Sequence, residues 1–161
     1  MKKEGFTLSE LLIATSLGLI CLGILYGLYR AEIGVYEFNR EKMKATDRLW
    51  LTMDRIEKEV REGKRFENPI NFPLAIPPDS LVFTTNDTVS FAFFTPSQDS
   101  VIYKCSSSSP EPETFAVGVS ISCVSSSSAT CKISLRTSWT YRKVTGEESI
   151  CSKINLRNWG R

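Results

Sequence analysis

The chain has 161 residues, a net charge of +2 and 42% apolar residues, enough for one modest domain with an appendage and too few for two enzyme domains. It contains no histidine, which excludes the commonest general base, the usual metal ligand and every Ser-His or Cys-His nucleophile. A charge this close to neutrality speaks neither for nor against nucleic acid. Of the five cysteines, Cys21 lies in the first apolar run and Cys105, Cys123, Cys131 and Cys151 lie beyond Lys104. An even distal set suits an oxidising compartment, with Cys21 an odd thiol in lipid.

From Phe6 to Tyr29 the one formally charged residue is Glu10. A run of ~20 apolar residues matches the hydrocarbon thickness of a bilayer when helical. Lys2 and Lys3 precede it and the bulk of the chain follows, so the positive-inside tendency puts the N-terminus in the cytoplasm and the rest outside. A secretory signal peptide is one rival, but its apolar core would be too long and no small-x-small cleavage site closes it. A plain signal anchor, with Glu10 snorkelling to the interface, is another.

The stretch KKEGFTLSELLIA resembles the type III signal of type IV prepilins and pseudopilins. That signal has a short basic leader ending in Gly, an aromatic, a Thr-Leu pair, and Glu at the fifth position of the processed chain. The resemblance implies cutting between Gly5 and Phe6 by a prepilin peptidase, N-methylation of Phe6, and residence in the inner membrane before assembly. It also implies a single pass with the head periplasmic or extracellular. The chemistry agrees. Gly5 lets the scissile peptide lie extended, and cleavage creates an ammonium at Phe6 about one helical turn from Glu10. In a bundle of such helices the Glu10 carboxylate of one subunit can neutralise the Phe6 amine of its neighbour and fix their register. Ala14, Ser16, Gly18, Gly23 and Gly27 would let other pilins or pseudopilins approach through this helix, although glycine is common in membrane helices generally.

After Arg30 the sequence stays helical but becomes polar, and proline is absent until Pro69. Thr46, Leu49/Trp50, Met53, Ile56 and Val60 recur at steps of three or four and predict a stripe that packs on the distal domain. Asp54 to Lys58 and Glu57 to Arg61 have favourable i,i+4 spacing. Gly63 is a natural stop. A helix from Phe6 to Glu62 would be roughly 85 Å long at 1.5 Å per residue, with Gly34 the expected kink. The divisions expected are a leader at 1–5, a membrane segment at 6–30, its extension at 31–62, and a head at 63–161.

A Pro-rich connector at 68–78 should run extended across the surface. Six β-type runs follow at 81–85, 88–94, 100–105, 115–123, 129–142 and 150–157, separated by turn residues. An antiparallel sheet wrapped on the upper helix satisfies both apolar stripes, so the fold class is α+β. CVSSSSATC brackets a tight turn and places Cys123 and Cys131 on adjacent strands, with Cys105 and Cys151 the remaining pair. Four cysteines nonetheless permit three pairings. A zinc site fails on spacing and on the missing histidine.

The helix end LWLTMDRIEKEVREG, the strands SLVFTTNDTVSFAFF and VIYKC, and the closing LRN resemble, in order, landmarks of minor pilins and type II secretion minor pseudopilins of the J/W kind. The implied function is a structural subunit that primes or joins a pilus or pseudopilus, without catalysis or cofactor. Asp79, Asp87, Asp99, Glu111 and Glu113 fall in turns, where acidic residues are usual. A basic-aromatic set, Arg136, Arg142, Lys143, Arg157 and Arg161 with Trp139, Tyr141 and Trp159, leaves a second reading open: an exposed module that captures DNA or a surface.

Overall fold

The computed structural model describes residues 7–86, 89–96, 100–109, 111–127 and 129–157, without the side chains of 86 and 124–126. The chain is one α-helix followed by antiparallel strands, an α+β architecture. Helix α1, Leu8–Arg61, is an uninterrupted helical run of 54 residues that includes Gly34. Two compact units divide it, Met1–Arg40 and Glu41–Arg161.

In the first unit the helix has no interior to pack on. Leu11, Leu12, Ile13, Leu17, Ile20, Leu25 and Leu28 are all more than half exposed, as a helix designed for lipid or for other helices must be. Two of its hydroxyls are satisfied locally: Thr15 Oγ1 donates to the Leu12 carbonyl at 3.0 Å and Ser16 Oγ to that of Ile13 at 2.9 Å, which lowers the cost of carrying them into hydrocarbon. At the far end Arg30 Nε donates to the Tyr26 hydroxyl at 3.1 Å, an aromatic-cation pair of the kind that settles at a membrane interface.

In the second unit the same helix changes character. Ala45, Leu49, Thr52, Met53, Ile56 and Val60 are buried, at the three-four spacing of one helical face. Leu49, Met53, Ile56 and Val60 agree with the expected stripe. Trp50 does not, being 62% exposed; Ala45 and Thr52 occupy the core-facing positions instead. The two expected ion pairs form, Lys58 with Asp54 at 2.6 Å and Arg61 with Glu57 at 2.7 Å. At the helix end Gly63 N–H caps the Val60 carbonyl at 2.9 Å, and Arg157 N–H reaches the Arg61 carbonyl at 3.2 Å, satisfying groups a helix terminus leaves over.

The strands form two sheets. In the first, β1 (Arg65–Glu67), β2 (Leu81–Asn86), β3 (Val89–Phe94), β4 (Val101–Ser106) and β5 (Glu113–Val117) pair in chain order. In the second, β6 (Ser120–Ser126), β7 (Thr130–Tyr141) and β8 (Val144–Asn155) do the same. Leu49, Met53, Ile56 and Val60 share one apolar cluster with Leu81, Phe83, Phe93 and Ile102 of the first sheet and Ile121, Ile133, Leu135 and Ile154 of the second. Lys104 of β4 is paired with Glu59 of α1 and lies 5.2 Å from the Phe91 ring centroid.

Two features depart from the expected reading. The Pro-rich connector does more than cross a surface: after a 3-10 turn at Pro69–Asn71, Phe72, Leu74 and Ile76 pack on Val82, Ala92, Phe94 and Cys105. That second apolar cluster explains why SFAFF is apolar at consecutive positions, since neighbouring strand residues face opposite sides and here both sides are covered. The run 115–123 is not one strand either. It is divided between the two sheets at Gly118, whose φ of +79° is a region other residues enter at a cost. Gly118→Ala is expected to lose about 1–2 kcal/mol of stability, read as a lower melting temperature of the full chain in detergent. A Cβ there would meet nothing nearer than Arg48 Nη1 at 3.5 Å, so the loss reports backbone strain and Gly118→Asn should lose less.

Candidate functional site

The sequence-derived site centres on the amino end of α1. Gly5 and Phe6, the expected cleavage and methylation positions, lie outside the described residues. Thr7 and Glu10 are described, and they form a reciprocal cap. Thr7 N–H donates to Glu10 Oε2 at 2.9 Å, Thr7 Oγ1 donates to the same oxygen at 2.7 Å, and Glu10 N–H points back to Thr7 Oγ1 at 3.4 Å. The first backbone bond of the helix, Leu11 N–H to the Thr7 carbonyl at 3.2 Å, closes the turn. This is a capping box, which satisfies donors that a helix start leaves without partners.

The geometry sharpens what the carboxylate can do. Both bonds from Thr7 end on Oε2, and neither uses Oε1. Among the described residues, Glu10 thus orders its own helix start through one carboxylate oxygen. Thr7 enters the sequence reading only through the Thr-Leu pair, without its capping contact to Glu10. The contact is legible as T-x-x-E at the start of an apolar run, the standard capping-box pattern.

Downstream of the cap, α1 contains an apolar window long enough to cross a membrane, none of it buried inside the protein. A Cβ at Gly18, Gly23 or Gly27 would meet nothing within 4 Å. The small residues thus leave open notches on the helix surface where a second helix could come close.

The distal cysteines fall into two situations. Cys123 on β6 and Cys131 on β7 are on adjacent strands either side of a register shift, and their Sγ atoms are 2.9 Å apart. The hydrogen bond to the Cys123 sulfur and burial push the Cys131 thiol above its ordinary range. Cys105 is buried in the outer cluster of the first sheet, its thiol pushed up by burial. Cys151 is exposed on β8 of the second sheet, so these two are not brought together. Cys21 is exposed in the apolar part of α1.

The structure also separates the basic-aromatic set. Arg142 and Lys143 form the turn between β7 and β8, whereas Arg157 follows the far end of β8 beside Arg61. Arg161 and Trp159 lie outside the described residues, as do Asp87 and Asp99 among the turn carboxylates. Among the described residues no three Cys, Asp or Glu side chains gather into a group that could hold a metal ion.

Residues 1–26 match the family pattern described as the prokaryotic N-terminal methylation motif. The match takes in Gly5, Phe6, Thr7 and Glu10 and most of the apolar window, and it makes this end of the chain similar to the amino ends of type IV pilin-like proteins. No curated protein and no solved structure matches the chain.

Proposed function

We propose that this chain is a minor pilin-like structural subunit, cut between Gly5 and Phe6, methylated on Phe6, and assembled through α1 into a type IV pilus or type II secretion pseudopilus or its priming tip. Before assembly it is held in the inner membrane by α1, N-terminus inward, with Glu41–Arg161 on the outer side. The observation that carries this reading is the methylation motif over residues 1–26. The capped Glu10, whose carboxylate a neighbour's amine could approach, and the notched apolar helix support it. The partners are the peptidase, membrane lipid and other pilin-like subunits, and the work is mechanical rather than catalytic.

In the oxidising space outside the membrane, Cys123 and Cys131 are expected to close a disulfide. Bridging a loop this short contributes about 2–3 kcal/mol on the chain-entropy scale. One measurement checks both claims. Intact-mass analysis of the membrane form, with alkylation before and after reduction, should show a chain beginning at methylated Phe6 in which two distal thiols become reactive only on reduction. An uncut Met1 chain in the presence of the peptidase overturns the functional reading. Full alkylation without reduction overturns the disulfide.

A further inference from the structure

Strands β7 and β8 are each 12 residues long, and only part of that length is needed for the core. Cys131, Ile133 and Leu135 are buried on β7 and Ile154 on β8. Beyond Thr137 and Glu148, which face each other, the hairpin continues to a two-residue turn at Arg142-Lys143. Three contacts fix its direction within the unit Glu41–Arg161. Lys42 pairs with Glu148 at 3.3 Å, Ser152 Oγ donates to Glu57 Oε1 at 2.7 Å, and Arg157 N–H meets the Arg61 carbonyl. Strand β8 therefore runs alongside α1 in the same sense. The turn projects about 13 Å past the Glu148–Lys42 contact, at 3.3 Å per residue, at the end of this unit where the chain enters it.

The tip has an unusual make-up for a solvated turn. From Trp139 to Gly146, Arg142 and Lys143 are the sole charged residues. Arg142 has φ +54°, a left-handed conformation that glycine or asparagine would take at less cost. An arginine there costs local stability while presenting a guanidinium, which stands 5.2 Å over the Tyr141 ring. Val144, directly opposite Tyr141, is 53% exposed. Just below, Trp139 covers Gly146, where a Cβ would lie 2.4 Å from the indole ring, and this close cross-strand packing stiffens the shaft. Cations flanked by Tyr, Trp and an exposed aliphatic are the composition that settles at a lipid headgroup boundary.

We propose that the β7–β8 tip is a membrane-surface contact, in which Arg142 and Lys143 meet the phosphates of anionic lipid headgroups while Tyr141 and Val144 sit at the headgroup boundary. The lipid is that of the membrane α1 crosses, and the inference rests on that anchoring. Nucleic acid, the other polyanion, fits less well. Its binding wants cations tracked along a groove, and Arg157, at the opposite end of β8, does not join the two at the tip.

The test uses the full chain in vesicles of phosphatidylcholine alone or with one-third phosphatidylglycerol, read by flotation and by hydrogen exchange of the peptide spanning Trp139–Thr145. With the anionic lipid, exchange at the tip should slow by about tenfold at low salt, since each cation near such a surface adds a further attraction. The slowing should vanish in half-molar salt. Arg142→Gln/Lys143→Gln should abolish it and Arg142→Lys/Lys143→Arg should keep it, with exchange in Leu81–Phe94 unchanged in both. Equal exchange in the two lipids, with the chain floating, overturns the tip contact and leaves the anchoring reading intact. Failure to float overturns the anchoring reading and the tip contact with it. Protection of the tip by a short DNA duplex on phosphatidylcholine vesicles, unmatched by anionic lipid, reassigns it to nucleic acid.

Discussion

Glu10→Ala is expected to leave cleavage after Gly5 close to the wild-type level while reducing incorporation into sheared filaments by roughly a hundredfold to a few thousandfold. The magnitude follows from leaving a neighbour's Phe6 ammonium without its counter-charge in an apolar bundle, a loss of about 3–5 kcal/mol, where each 1.4 kcal/mol is tenfold. The capping box makes this experiment more discriminating than a single alanine. Glutamine at the same position can still cap the helix start but carries no charge. Glu10→Gln should therefore fail as badly as Glu10→Ala if the carboxylate pairs with another subunit. If Glu10 only caps its own helix, Glu10→Gln will incorporate normally, and register pairing is wrong. Thr7→Ala is the mirror case. It removes a cap worth about 1 kcal/mol and keeps the charge, so filaments should form at near-normal yield. Immunoblots of sheared filaments and membranes, with the N-terminal methyl group followed by mass, separate the three variants.

The second large effect is in the head. Phe93 is fully buried, with its ring 4.8 Å from Phe115 edge to face and 5.9 Å from Phe83. It sits where β3, β4 and α1 share one cluster, under the ion-paired Lys104, whose ammonium is 5.9 Å from its centroid. Phe93→Ala should cost about 3–5 kcal/mol, the transfer term plus the cavity it leaves. Domains of this size hold about 5–15 kcal/mol in all, so the variant should melt far below the parent or accumulate in proteolysed form. Phe93→Leu, which keeps much of the volume, should lose about half as much. A melting temperature for Phe93→Ala within a degree or two of the parent would show that this cluster is not the core. Thermal melts in detergent followed by near-ultraviolet dichroism make the comparison, because the helix signal of residues 8–40 will not report the head.

How far the molecule could be read in advance depended on whether the deciding physics is local. The spacing of Leu49, Met53, Ile56 and Val60 is a property of one helix, and it gave the packed face correctly. Trp50 fits the three-four spacing as an alternative to Leu49, but Leu49 takes the packed position and Trp50, one residue on, lies off that face. The division of 115–123 at Gly118 was hidden because alternation continues on either side of a backbone turn that no side-chain pattern announces. Phe72, Leu74 and Ile76 were hidden behind four prolines, whose stiffness says how a segment runs and nothing about what it covers. At the site, the motif around Gly5, Phe6 and Glu10 was legible from residue type and offset alone. The partnership of Thr7 with Glu10 is equally local, a T-x-x-E spacing at the start of an apolar run. The 2.9 Å approach of Cys123 and Cys131 followed from a hairpin the sequence did announce, while Cys105 and Cys151 could be placed only once the strands were known to form two sheets.

The passage of one unbroken helix from the apolar segment into the core has a mechanical side. Tension applied along α1 reaches the head on the very element that carries its buried stripe, Ala45 to Val60, about 22 Å of contact at 1.5 Å per residue. Because β8 lies alongside in the same sense, with contacts from Lys42–Glu148 to Arg61–Arg157, such a pull loads them in shear. All must slip together rather than peel apart one by one. A helix seated this way can be pulled lengthwise without the strands packed on it peeling away one at a time.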